Sequence, residues 1–244
     1  MIISHKHKFI FLHCRKNAGS SVSVSLYRYL GPFDIAIGSW DDAINNGIFP
    51  NKRMYFWAFQ SPSFFKFTPD AINSSIKRKA IKVMPGTGAT HATASQIKLR
   101  FPQKFKKYKK FCIIRNPYDR VISDYYWRLK VMKKLDQIPS FSEYLNALKS
   151  GDTLNGFVPK LPDNWNIYTI DNQIAVDYIC FYENLENDLK DVLVSDIGLN
   201  WDSWMPLAKQ GKLGYDYSSF YTEKEKQIVY EIFSKEIETF GYKF

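Results

Sequence analysis

Apolar residues occur along the chain in short continuous runs and in longer stretches with helical spacing. The continuous runs Phe9–Cys14 and Phe111–Ile114 are typical of buried parallel strands. A helix-compatible stretch follows each run, Ser20–Leu30 after the first and Pro117–Met132 after the second. Strands that alternate with helices favour a central, mainly parallel sheet covered by helices on both faces. The pattern therefore predicts an α/β fold.

Further helices are predicted where apolar residues recur at helical spacing. They are Thr93–Arg100, Phe141–Leu148, Glu183–Val194 and Thr222–Phe240. Thr222 and Glu225 have the spacing of a capping box at the start of the last helix. Residues Phe33–Thr68 are rich in aromatic and turn-forming residues without a clear period, so we expect irregular structure with a short helix there.

Length and composition suit one soluble domain. The chain has 244 residues, 45% of them hydrophobic, which is enough to bury a full core in a single domain over residues 1–244. No apolar run approaches the ~20 residues that a membrane span requires. The strand-like run Phe9–Leu12 leaves no room for a signal peptide before it. We therefore expect a cytoplasmic protein without a membrane span.

Charge and cysteine placement limit the partners. Lys and Arg exceed Asp and Glu by 34 to 24, which gives a net charge of +10 and favours an anionic partner. Nucleic acid, an acidic glycan and a phosphorylated cofactor fit that balance equally well. Cys14, Cys112 and Cys180 lie in or beside apolar runs and show no CxxC spacing. Buried reduced thiols are therefore predicted rather than a metal cluster.

Two polar motifs stand directly after the two predicted strands. The first is Arg15-Lys16-Asn17-Ala18-Gly19-Ser20-Ser21, and the second runs from Arg115 to Ser123. Both place charged groups at the carboxyl end of a strand and beside a helix N-terminus, where open α/β sheets bind anions. Together they predict a site for a doubly phosphorylated nucleotide.

Both motifs resemble those of the sulfotransferases that use 3′-phosphoadenosine 5′-phosphosulfate, in particular the carbohydrate branch of Golgi-type and bacterial enzymes. The first is similar to the phosphosulfate-binding loop, although Arg15 stands where the family commonly has Pro. The second is similar to the 3′-phosphate motif, in which a Ser follows the first Arg by eight positions, as Ser123 follows Arg115. His91–Ala94 and Tyr182–Asp188 also resemble that branch, but Phe181-Tyr182 replaces an Arg often found before Glu-Asn-Leu.

The resemblance implies a P-loop-like three-layer fold and transfer of a sulfuryl group to a hydroxyl acceptor, with a sugar or polysaccharide favoured. It implies donor-binding roles for both motifs, at Arg15, Lys16, Asn17, Ala18, Gly19, Ser20, Ser21, Arg115 and Ser123. No metal is expected, because a transferred sulfuryl carries less charge than a phosphoryl group and a lysine can stabilise the leaving phosphate. No nucleic-acid partner is expected either.

Lys16 is the first candidate catalytic residue. Its ammonium can stabilise the phosphate that gains charge as the bond to sulfur breaks. A nucleotide-dependent kinase of the P-loop type is the alternative enzyme, but its motif places the lysine after the last glycine, whereas Lys16 precedes Gly19. A non-catalytic basic protein that binds glycan or RNA would explain the charge and the aromatic residues. It would not explain why both phosphate motifs occur in order.

Two interpretations are open for Arg115 in the second motif, and two for the lysine-rich run before it. Arg115 and Ser123 can bind a 3′-phosphate, or Arg115 can be a structural partner of Asp119. We also expect a local salt bridge between Asp119 and Arg120. The lysine-rich run Lys104–Lys110 can bind an anionic polymer, although a solvated face is favoured.

His91 is the candidate general base for the acceptor hydroxyl, since an imidazole titrates near neutral pH. The alternative is a structural histidine. His13 is expected to have an orienting or packing role. Residues Lys209–Lys212 and Tyr215–Ser219 fall where related enzymes close a loop over the nucleotide.

Overall fold

Both predicted strands belong to one five-stranded sheet in the computed structural model, which describes residues 1–84, 89–132, 138–160, 162–206 and 217–244. The strands are β1 (Ile2–Ser4), β2 (Phe9–Leu12), β3 (Ile35–Ala36), β4 (Lys109–Ile114), β5 (Thr169–Ile170), β6 (Gln173–Ile174) and β7 (Tyr178–Phe181). The sheet has the order β3-β1-β2-β4-β7, and β5 and β6 form a separate antiparallel pair.

The sheet is mainly parallel by strand direction. β2, β4 and β7 pair in parallel, whereas β1 is antiparallel to both of its neighbours, β2 and β3. Within the described sheet, β1 therefore runs against the other four strands. The predicted α/β class with a central, mainly parallel sheet flanked by helices is confirmed. The short strands β1 and β3 were not predicted.

The parallel strands are buried on both faces, as their continuous apolar sequences require. The residues of β2 are at most 1% exposed, and so are residues 111–114 of β4. The rings of Phe11 and Phe111, which face each other in the register, stack with centroids 5.0 Å apart. Cys14, Cys112 and Cys180 are buried reduced thiols, as predicted. Burial, with a smaller effect of Asp188, raises the pKa of the Cys180 thiol to about 12.

The helices confirm most of the predicted elements. In chain order they are α1 (Gly19–Tyr27), α2 (Trp40–Asn45), α3 (Lys52–Phe59), α4 (Pro69–Val83), α5 (Ala94–Arg100), α6 (Pro102–Lys107), α7 (Pro117–Val131), α8 (Phe141–Ser150), α9 (Trp165–Tyr168), α10 (Leu185–Lys190) and α11 (Glu223–Phe240). Complete capping boxes fix the starts of α5, α8 and α11, through Thr93, Ser140 and Thr222. The predicted helix Glu183–Val194 begins at Leu185 and continues as a π-helical turn, Asp191–Asp196.

The prediction of mostly irregular structure over Phe33–Thr68 was wrong. That segment contains β3, α2, α3 and a 3-10 turn, Pro62–Lys66. Its regularity comes from tertiary burial, because Trp40 is 0% and Trp57 6% exposed in helices too short for a readable period. α4 follows, with Pro69 in its first turn and the Thr68 side chain accepting from the Ala71 amide.

The described residues form two compact units. The first contains residues of 1–114 and 166–206 and holds the five-stranded sheet. The second contains residues of 115–165 and 217–244 and is helical, with α7, α8 and α11 packed around a core that includes Tyr144, Leu145 and Val229. The single domain expected over residues 1–244 stays a prediction. Across the described parts of the chain, every helix is too short or too polar to cross a membrane.

A buried ion pair links two helices of the second unit. Arg120 on α7 donates to Glu236 on α11 at 2.5 Å, with both side chains at most 4% exposed, and its guanidinium lies 4.7 Å from the centre of the Phe233 ring. We expected Arg120 to pair with Asp119. In the structure Asp119, in the first turn of α7, instead accepts from Arg115, which lies before the Asn116 cap.

Candidate functional site

The backbone of the loop between β2 and α1 enters the left-handed region at two positions. Lys16 and Ala18 have φ angles of 62° and 57°, in the left-handed region, and Asn17 lies between them. Alternating handedness turns successive N–H groups towards one side, as in the backbone nests that bind anions. The loop therefore has an anion-binding form that does not depend on a row of glycines.

Asn17 ties this loop to the neighbouring strand. Its side chain is fully buried, and its Nδ2 donates to the carbonyl of Ile113 in β4 at 2.8 Å. Loss of a buried bond of this kind leaves a carbonyl unsatisfied and costs about 1–3 kcal/mol. The prediction included Asn17 among the donor-binding residues. Its structural role was missed, because nothing in the sequence couples it to a residue 96 positions away.

The N-terminus of α1 meets the electrostatic requirements of an anion site. Ala18 occupies the N-cap without a capping side chain, and the first turn contains no acidic residue. The N–H groups and the helix dipole at a helix N-terminus attract negative charge. Arg15 and Lys16, both half-buried, add two cations immediately before it. A phosphate or sulfate group fits this combination better than a cation does.

Gly19 is required by its contact with His13. A Cβ atom at position 19 would lie 2.1 Å from Cδ2 and 2.3 Å from Nε2 of the His13 ring, far inside van der Waals contact. The ring is itself fixed, since it is 5% exposed and stacks on Phe11 with centroids 5.9 Å apart. We expected Gly19 to permit close approach of a nucleotide. The structure shows that it permits close approach of an imidazole, and His13 has the packing role predicted for it.

His91 forms a hydrogen bond with the backbone of His13. Its Nδ1 lies 2.7 Å from the carbonyl oxygen of His13, and the two rings meet edge to face with centroids 4.9 Å apart. Because a carbonyl only accepts, Nδ1 carries the proton in this bond. The neutral ring then has its lone pair on Nε2, which is the tautomer that a general base needs.

Gly38 supports the turn that carries His91. Its φ of 98° lies in the left-handed region, and a Cβ there would lie 2.5 Å from Cγ2 of Thr90. Thr90 precedes His91 in the 3-10 turn Ala89–His91. The sequence did not predict a role for Gly38, because its contact with Thr90 joins residues far apart in the chain. Residues 85–88, which precede this turn, lie outside the described residues.

The second motif begins α7 in the helical unit. Asn116 caps the helix, with Oδ1 accepting from the Tyr118 amide at 3.1 Å, and its Nδ2 donates to the Lys243 carbonyl at 2.8 Å. Arg115 pairs through Nε with Asp119 at 2.7 Å, with the side chains 12% and 22% exposed. The structural pairing of Arg115 with Asp119, one of the two predicted alternatives, is thus observed. The Nη groups that a bidentate phosphate contact would use are a different part of the guanidinium.

The structure brings together some of the predicted residues. His13, Asn17, Gly19 and His91 contact one another or β4 within the sheet unit, whereas Arg115 and Ser123 belong to the helical unit. Ser123 is half-buried on α7. The predicted closing loop at Lys209–Lys212, with Tyr215 and Asp216, lies outside the described residues. Among the residues the structure describes, no three His, Cys, Asp or Glu side chains are grouped to hold a metal ion.

A comparison with protein families identifies the chain. A family model described as "Sulfotransferase family" matches residues 1–195. The chain belongs to the sulfotransferase family. The resemblance on which the prediction was based is therefore confirmed at the level of the family. An uncharacterized protein of Archaeoglobus fulgidus is 35% identical to this sulfotransferase over 95 residues, which cover 39% of the chain and 72% of that protein. No solved structure matches the chain significantly.

We expect Gly19→Ala to destabilise the protein by about 1–3 kcal/mol, because the added methyl overlaps the His13 ring in a packed environment. Urea unfolding measures the loss. Combining Gly19→Ala with His13→Ala removes the atoms that the methyl meets, so the double variant should lose less than the sum of the two single losses. Strict additivity would show that the contact does not constrain position 19.

Proposed function

We propose that this sulfotransferase transfers a sulfuryl group from 3′-phosphoadenosine 5′-phosphosulfate to a hydroxyl acceptor, with a sugar or polysaccharide favoured. Membership of the family supports sulfuryl transfer in general. The observation that carries the choice of donor is the loop before α1, where an uncapped helix N-terminus follows Arg15 and Lys16 without a neighbouring carboxylate in its first turn. The carbohydrate branch and the P-loop-like three-layer fold are parts of the same proposal.

The two motifs would bind the two ends of the donor. Residues 15–21 offer backbone N–H groups, two cations and the hydroxyls of Ser20 and Ser21 to the phosphosulfate. Arg115 and Ser123 would bind the 3′-phosphate, with Asp119 holding the guanidinium in position through Nε. The ion pair and the phosphate contact are compatible, because they use different N–H groups of one arginine.

Transfer is proposed as a single in-line step. The acceptor oxygen forms its bond to sulfur while the bond between sulfur and the bridging oxygen breaks, and that oxygen leaves with the electron pair on adenosine 3′,5′-bisphosphate. Lys16 would stabilise the charge that develops on the leaving phosphate. The acceptor proton would pass to Nε2 of His91, whose Nδ1 is occupied by the His13 carbonyl.

The alternatives account for fewer observations. A P-loop kinase would need its lysine at the end of the loop, after the last glycine. In this chain Lys16 precedes Gly19, and Gly19 is the first residue of α1. A basic binding protein without activity would not need the His91 tautomer described above. A cytoplasmic location stays a prediction.

We expect adenosine 3′,5′-bisphosphate to stabilise the protein without Mg²⁺, by about 2.7 kcal/mol at a ligand concentration of a hundred times its Kd. Thermal shift measures this, with AMP and ATP as controls that lack the 3′-phosphate. A clearly smaller effect of both controls is expected. Equal shifts with AMP, or a strict need for Mg²⁺, would rule out the proposed donor.

Arg115 and Lys16 should affect different steps. Arg115→Ala should weaken binding of adenosine 3′,5′-bisphosphate by about 2–4 kcal/mol, through loss of a charge-assisted contact. It should leave AMP affinity unchanged, which separates a phosphate contact from general damage. Lys16→Ala should lower kcat more than affinity. Calorimetry and turnover with labelled donor measure both, and near-normal turnover of Lys16→Ala would remove this lysine from the mechanism.

His91→Ala should lower kcat by about 10²–10⁴, the usual contribution of a positioned base, while the thermal shift with adenosine 3′,5′-bisphosphate persists. The wild-type rate should fall as the pH falls, because a protonated imidazole cannot accept the acceptor proton, and this acidic limb should vanish in the variant. His7→Ala is the matched control, since His7 lies in the β1–β2 turn. Loss of nucleotide binding in His91→Ala would instead indicate a structural histidine.

A further inference from the structure

An exposed aromatic surface lies on α3 and the segment that follows it. We define the aromatic patch as Phe56, Phe59, Phe65 and Phe67, whose side chains are 64%, 59%, 60% and 69% exposed. Phe56 and Phe59 are three residues apart and share one face of α3. The helix already buries another face through Met54, Trp57 and Ala58. Its exposed aromatic face is therefore not explained by packing within the unit.

Ring contacts connect three members of the patch. Phe59 and Phe65 meet edge to face with centroids 5.7 Å apart. The buried Phe64 connects them to the last ring, with centroid distances of 5.9 Å to Phe59 and 5.3 Å to Phe67. Contiguous apolar surface of this kind on a monomer usually marks an interaction site.

The segment that contains the patch is rich in basic residues. Residues 52–84 contain seven cationic side chains and one acidic one, Asp70, for a net charge of +6. The cationic residues are Lys52, Arg53, Lys66, Lys77, Arg78, Lys79 and Lys82. Lys66 is exposed between Phe65 and Phe67, and Arg78 on α4 donates to the Ser63 hydroxyl of the 3-10 turn. The segment that carries the exposed rings is therefore strongly basic, and Lys66 lies directly between two of them in sequence.

We propose that the aromatic patch docks this protein on a membrane surface that carries anionic lipid. Aromatic rings insert at the headgroup level of a bilayer, and flanking lysines and arginines bind its negative surface. A second copy of the chain would bring two patches of like charge together. A glycan would need hydrogen-bonding groups, and the phenylalanine rings of the patch carry none. The charge and the chemistry of the patch both fit the membrane.

Binding of the full chain to vesicles tests the proposal. Vesicles of phosphatidylcholine with phosphatidylglycerol should bind the protein, and vesicles of phosphatidylcholine alone should bind it far less. Removing one exposed ring from the interface, as in Phe65→Ser or Phe67→Ser, should lower the partition coefficient about tenfold. Lys66→Glu should lower it at least about fivefold, which corresponds to about 1 kcal/mol for one basic residue.

Leu99→Ser is the matched control, because Leu99 is 84% exposed on α5, outside the patch. It should bind vesicles as the wild type does, and the melting temperatures of all variants should stay close together. Equal vesicle binding by wild type, Phe65→Ser and Phe67→Ser would overturn the proposal. So would a patch-dependent dimer in sedimentation, or patch-dependent binding of a soluble anionic polysaccharide without binding of vesicles.

Discussion

The parallel pairing of β2 with β4 is the constraint on which the candidate site depends. Leu12 is level with Cys112 in the register, so the two strands end at one edge of the sheet, just before Arg15 and Arg115. The stacked rings of Phe11 and Phe111 fix that register from the core. Asn17 then ties the loop after β2 to the end of β4. The first motif thus follows a strand that ends at the edge where parallel sheets bind their ligands, and β4, which precedes the second motif in sequence, ends at the same edge.

His13 contacts both the loop before α1 and the candidate base, through two different parts of one residue. Its ring fills the space beside Gly19, and its carbonyl accepts from Nδ1 of His91. A shift of the loop would move the ring, and a shift of the β2 end would move the carbonyl. The tautomer of His91 therefore depends on the same backbone that shapes the anion site. Position and tautomer are set together, as electrostatic preorganisation of a site requires.

Sequence patterns predicted the elements that local physics determines. β2 and β4 were recognisable as continuous apolar runs, and α5 and α11 had their capping residues in place. β1 has three residues and β3 two, too few for a period to show, and they exist because β1 pairs on both sides. In the candidate site, the residue types of both motifs were sufficient to predict anion binding. The partners of Asn17 and His91 were not, because both bonds join residues far apart in sequence.

The positive charge of the chain has an uneven distribution with a physical consequence. Residues 52–84 carry a net charge of +6 and residues 98–110 a net charge of +7, so the excess is concentrated in two segments of the sheet unit, the first of which carries the exposed rings. In the run Lys104–Lys110, Lys106, Lys107 and Lys109 are exposed, but one lysine is neutralised. Lys110 is buried and paired with Asp177 at 2.7 Å, and Phe105 is buried beneath it, with the Lys110 ammonium 5.3 Å from the ring centre. Charge that is neutralised inside the unit generates little field outside it, whereas exposed cations attract anions over about a Debye length of 8–10 Å. The excess charge therefore acts at both segments, and at α3, α4 and the turn between them it adjoins the aromatic patch.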